Sequence, residues 1–115
     1  MTYPIFLKHV LRQPEALAVV TSTGERYTYQ KAFYRVNQWA NYFLSQGIES
    51  NDRLGVLLDN EDHHFFIFLA LELIGSVYVP FDADIPKKQL ADDINGLNLK
   101  KILTFFCTNK SSIHN

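Results

Sequence analysis

Few side chains in this sequence are of a type and spacing that could do chemistry. Thr21-Ser22-Thr23-Gly24-Glu25-Arg26 has the composition of a phosphate loop. A phosphate cradle, however, needs several backbone N–H groups turned inward, normally through repeated glycines before a helix N-terminus. Here a single glycine separates two strand-like segments, so a hairpin turn is expected. His63-His64 could ligate a metal, but adjacent helical residues point about 100° apart and cannot chelate one ion from one face. Metal-binding histidines on a helix want partners at i, i+4, and only Asp59 and Asn60 stand four before them. Asp82 and Asp84 flank a turn between a strand and a helix. Ligands of open α/β sheets gather at such carboxyl ends, yet two aspartates also simply form turns. Asp92-Asp93 reads as the wet side of a helix, and Cys107 has no histidine nearby to make it a nucleophile. No catalytic, cofactor-binding or metal-binding residue is assigned on these grounds.

The elements that would position these groups follow from composition and periodicity. The chain has 115 residues, 47% hydrophobic and 14% aromatic, enough for one domain with a real core and too apolar for disorder. Eleven basic residues oppose 12 acidic ones, for a net charge of -1, which leaves no electrostatic footprint for nucleic acid. The longest apolar stretch, Phe65 to Leu71, is too short to cross a bilayer. A lone cysteine and no leader pattern point to a reducing cytoplasm.

Ile5 to Leu11 predicts a short helix with Ile5, Phe6, Val10 and Leu11 on one face, closed by Pro14. Ala16–Thr21 and Glu25–Thr28 predict a hairpin. Tyr29 to Gln46 predicts a helix with the stripe Ala32, Phe33, Val36, Ala40, Phe43 and Leu44, Thr28 as N-cap and Gly47 as left-handed terminator. Arg53–Leu58 reads as a strand buried on both faces. Glu61 and Asp62 suit the first turn of a second helix that runs to about Ile74 and stops at Gly75. Val77–Phe81, Lys87–Asn95 and Lys101–Phe105 follow as strand, helix and strand. After Phe106 the chain turns polar and loses periodicity, so residues 106–115 are expected as a polar tail to a domain of residues 1–105.

Helix and strand alternate from Tyr29 with short connections. The expected fold class is therefore α/β: a three-stranded parallel sheet with flanking helices, plus an N-terminal β-hairpin.

The order of these segments carries a resemblance. Thr28-Tyr29 opens the long helix, Asn37-Gln38-Trp39-Ala40 lies inside it, and Gly47 ends it. Asp52-Arg53-Leu54-Gly55-Val56-Leu57-Leu58-Asp59-Asn60 comes next. Leu69 to Asp82 (LALELIGSVYVPFD) follows, with Pro86 shortly after. This string resembles the start of the adenylate-forming (AMP-binding) ligase superfamily, most closely the amino-acid adenylation domains of nonribosomal peptide synthetases. The resemblance covers roughly Glu15 to Thr104 and makes the chain a fragment of that family's large subdomain. Ala83 departs from it, standing where a proline is common, and Phe106 to Asn115 match nothing in its pattern.

The matching motifs are structural. Gly75 lets the helix stop, and Pro80 is expected to end the strand that follows it. The resemblance implies a parent reaction that activates a carboxylate with ATP, giving an acyl-adenylate and pyrophosphate. It also implies that the phosphate loop, the residues for adenine, ribose and magnesium, and the terminal lysine would come after this stretch. ATP and Mg are thus expected only for a full-length relative, and no cofactor for this chain. Two functions are expected from different classes. One is a truncated or split N-terminal segment of an adenylating ligase, inactive alone. The other is a standalone interaction module. The segment Phe65 to Ile74 is apolar nearly all round, which predicts a homodimer or a complementing chain covering it, with the N-terminal helix and hairpin folding over this face as the alternative. A small enzyme in its own right has no supporting constellation.

Overall fold

The computed structural model describes residues 2–58, 63–106 and 110–114. Helix α1 spans Tyr3–Arg12, with proline in its first turn, where a missing N–H costs nothing, and His9 and Arg12 in its last. Phe6 and Val10, four apart, are its buried stripe. Ile5 and Leu11, expected on the same face, are 60% and 76% exposed. They flank the stripe rather than join it, because a helix this short buries only the side that meets the neighbouring helices.

Strands β1 (Leu17–Val20) and β2 (Arg26–Thr28) form the expected antiparallel hairpin, a separate two-stranded sheet beside the helix that follows it. Helix α2 (Tyr29–Ser45) follows without a linker. The Thr28 hydroxyl accepts the Lys31 N–H at 3.2 Å, and Gly47 adopts φ +82°, as the sequence predicts for the two ends. Ala32, Val36, Ala40 and Phe43 are buried and Trp39 joins them. Phe33 is half-buried and Leu44 lies 53% exposed at the edge of the stripe.

The main sheet holds β3 (Arg53–Leu58), β4 (Val77–Asp82), β5 (Lys101–Phe106) and β6 (Lys110–His114), in the order β4-β3-β5-β6. The three expected strands are parallel, with Leu54 opposite Tyr78 and Val56 opposite Leu103. Strand β6 runs antiparallel to β5 and lies within the ten residues expected as a tail. Helix α3 (His64–Ile74) connects β3 to β4, and α4 (Lys87–Leu97) connects β4 back across β3 to β5. Right-handed crossovers stepping in opposite directions put α3 and α4 on opposite faces.

The core sits on the α3 face. Leu54, Val56 and Leu103 from the sheet meet Phe66, Ile67, Leu69, Ala70 and Leu71 of α3, with α2 and α1 stacked outside. The outer side of α3 therefore meets the chain's own helices. Phe6 packs edge-on against Phe65 at 5.8 Å, and Tyr27 against Phe66 at 4.9 Å. Phe65, Phe68 and Leu73 keep 36–40% exposure. The α4 face is thinner, for α4 has no fully buried residue. Gly55 opens this face to Leu99, Phe81 and Ile102.

Pro80 was expected to end β4, but the strand continues through it to Asp82. Its neighbour Val77 donates to the Asp52 carbonyl at 2.7 Å, which fixes Val77, Val79 and Phe81 as the residues whose backbone groups face β3. Pro80 falls on the alternate set, facing away from β3, so its missing N–H removes no ladder bond.

Candidate functional site

The carboxyl ends of β3 and β4 are where an open α/β sheet holds ligands. At β4 the end is a closed turn. Asp84 N–H donates to Asp82 Oδ1 at 3.1 Å, and Ile85 N–H to the Asp82 carbonyl at 3.0 Å. The Asp82 carboxylate thus caps its own backbone, and Asp84 lies exposed beyond it. Pro86 then enters α4 with extended backbone. The turn-forming role accounts for the Asp82 side chain, and Asp84 enters the turn through its backbone N–H.

The Thr21–Arg26 segment is also a turn. Gly24 takes φ +87°, its N–H donates to the Thr21 carbonyl at 3.0 Å, and Thr21 N–H donates to the Glu25 carbonyl at 2.8 Å. Glu25 N–H donates to Thr21 Oγ1 at 3.0 Å. The N–H groups of Thr21, Gly24 and Glu25, which a phosphate cradle would draw on, are thus consumed locally. Tyr27 beside it donates its hydroxyl to Glu25 Oε1 at 2.9 Å, and burial, with the Glu25 acceptor second, raises its pKa above the ordinary phenol value.

His63 and His64 are drawn to different elements. The His63 ring lies edge-on to Trp39 of α2 at 6.4 Å, while His64 hydrogen-bonds the Tyr78 hydroxyl of β4. Among the described residues no three His, Cys, Asp or Glu side chains gather as a metal site. Asp59, Asn60, Glu61, Asp62 and Cys107 lie outside the described residues. Asp92 is exposed on α4 and Asp93 half-buried.

Sequence reasoning missed an open cleft at the opposite, amino end of the strands. Asn51, Asp52, Arg53, Asn98, Leu99 and Lys100 line a volume of about 430 Å³. Asn51 and Asn98 stand at φ +71° and +53°, a conformation asparagine tolerates better than most residues, and that preference was the available signal. The charges here hold loops. Asp52 accepts the Glu49 N–H at 2.6 Å and pairs with Lys100 at 3.3 Å; first the backbone donor and then Lys100 pull its pKa below the usual carboxylate value. Arg53 donates to the Leu97 carbonyl at 2.8 Å, and Lys101 Nζ caps the end of α2 at the Gln46 carbonyl. The His64–Tyr78 pair is the one contact among these described candidates that sets a hydroxyl against an imidazole, and it joins α3 to β4.

The comparisons with known proteins agree with this scaffold. The family model described as AMP-binding enzyme matches residues 6–114 and so takes in the stretch after Phe106 that carried no resemblance. Gramicidin S synthase 1 of Brevibacillus brevis is 26% identical over 102 residues, 89% of this chain and 9% of that protein. Fusarin C synthetase of Gibberella fujikuroi is 35% identical over 85 residues, 74% of this chain and 2% of that protein. The N-terminal subdomain of Klebsiella oxytoca NpsA, solved in complex with 3-hydroxyanthranilyl-AMSN, superposes with a TM-score of 0.82 at 18% identity. That superposition covers 92% of this chain and 27% of the NpsA chain. The chain thus spans a small fraction of the length of the relatives it matches. It belongs to the AMP-binding enzyme family and carries the α/β fold found in the N-terminal subdomains of adenylating enzymes.

Proposed function

We propose that this chain is an N-terminal scaffold segment of an ATP-dependent amino-acid or carboxylate-adenylating ligase, truncated or split from its remainder, and that it does not catalyse by itself. The observation that supports this most is that the family match runs along nearly the whole chain while Thr21, Asp52, Arg53 and Asp82 are held in turn, cap and loop contacts. Adenylyl transfer depends on cationic side chains, N–H donors and metal placed around the reacting phosphate. A segment whose described residues hold no such cluster contributes the folded platform on which the rest of a subdomain is built, in the cytoplasm where ATP is supplied. The test is ATP–pyrophosphate exchange by the purified chain with a panel of amino and aryl acids. No exchange above background is expected, and saturable exchange by this chain alone overturns the proposal.

A second reading, an interaction module that self-associates or receives a complementing chain through Phe65–Ile74, draws on the 36–40% exposure of Phe65, Phe68 and Leu73. It expects sedimentation equilibrium at micromolar concentration to report a mass above 13.3 kDa. A clean monomer that binds no hydrophobic dye defeats it.

A further inference from the structure

Strand β4 is an outer strand of the main sheet, and an outer strand is a template on which another chain can add. The simplest addition is a second copy pairing its own β4 across a two-fold axis, since such a contact uses the same surface twice. The backbone directions fixed by Val77 decide how that pairing would run. Tyr78, Pro80 and Asp82 carry the outward-facing backbone positions. In an antiparallel β4–β4 pair centred on the strand, Tyr78 would oppose the copy's Asp82, and Pro80 would oppose the copy's Pro80. Outward positions form the closely bonded pairs of an antiparallel ladder. At the centre both N–H groups are missing, and two pyrrolidine rings point into the gap where hydrogen bonds should close. At the end, the Asp82 carbonyl is already taken by Ile85 N–H at 3.0 Å.

We infer that Pro80 is an edge guard: it blocks β4 from pairing with the β4 of a second copy while leaving the β3–β4 ladder whole. Placement is what makes this possible. Moved one residue to Val79 or Phe81, proline would delete a bond to β3. At position 80 the chain's own sheet loses nothing, and the lost N–H falls only on an incoming strand. Pro80 is exposed, so its ring is placed to obstruct rather than to fill a core. Association of this chain is thereby directed to side-chain surfaces and away from ladder extension at β4.

The test compares the full chain with Pro80→Thr and Pro80→Lys. Both variants restore the N–H; the lysine adds a charge that itself disfavours strand addition. Analytical ultracentrifugation from 1 to 100 μM (roughly the range of weak association) is combined with hydrogen exchange on the β4 amides. Pro80→Thr is expected to add a concentration-dependent larger species, with the Asp82 amide gaining protection as that species forms. Pro80→Lys is expected to sediment as the parent chain does. Three results overturn the inference. One is Pro80→Thr sedimenting and exchanging as the parent does. Another is the parent chain showing concentration-dependent protection at Asp82. The third is loss of folding in both variants, which would show that Pro80 serves the chain's own sheet.

Discussion

Gly55 lies where β3 passes beneath Leu99, Phe81 and Ile102. A Cβ there would stand 2.9 Å from Leu99 Cδ1 and 3.0 Å from Phe81 Cε2, so both side chains must move. Gly55→Ala is expected to destabilise the fold by about 1–3 kcal/mol, the cost of overpacking, read from urea unfolding. Asp52 supplies a pH signature. Its pKa is depressed in the folded state, so it stabilises the fold above the unfolded carboxylate value and loses that contribution as pH falls through the folded value. Asp52→Asn should therefore flatten the acid limb of a stability-against-pH curve and leave the curve's shape near neutrality unchanged. An unaltered acid limb would show that the Glu49 and Lys100 contacts carry no such linkage. At this scale Gly47 and Gly75 were legible in the sequence because each must end a helix, and both take positive φ. The His64–Tyr78 contact was not legible. It joins residues 14 apart through the crossover geometry, which no local pattern encodes.

Between elements the contrast lies between α2 and α4. The first buries five residues and the second none. Phe43→Ala, at a fully buried position, should cost about 3–5 kcal/mol, while Leu97→Ala should fall within about 0.5 kcal/mol. Native-state hydrogen exchange should show α4 amides opening well before those of α2, because few buried contacts hold α4. Equal protection of the two helices would contradict the layering described. Periodicity placed the four helices of the described residues and the parallel strands, since three- and four-residue apolar spacing and short apolar runs are local signals. It misplaced Ile5 and Leu11, because adjacent apolar positions on a short helix allow two choices of inner face. It also misjudged Pro80, whose effect depends on which neighbour its backbone faces. The strand β6 carries too little apolar alternation to announce itself; its pairing comes from β5 lying beside it.

At the scale of the molecule the dimensions express an uneven sandwich. The accessible surface is 7020 Å², against roughly 6,450 Å² for a monomer of this mass. The radius of gyration is 14.6 Å, against about 13.4 Å for a compact chain of this length. One sheet face carries α3 with α2 and α1 outside it. The other carries a single shallow helix. The body covers 27% of the NpsA N-terminal subdomain, as the proposed platform within a larger fold would. The family was legible in the order of its structural motifs, while the amino-end cleft had only the left-handed preference of Asn51 and Asn98 to announce it. If the body is scaffold alone, as proposed, it holds no nucleotide by itself. An amide-resolved NMR titration of the chain with Mg-ATP tests it most directly. The account predicts no saturable shifts at Asp82–Ile85, at Thr21–Arg26 or around Asn51–Arg53. Saturable shifts clustered at any of these three places would contradict it.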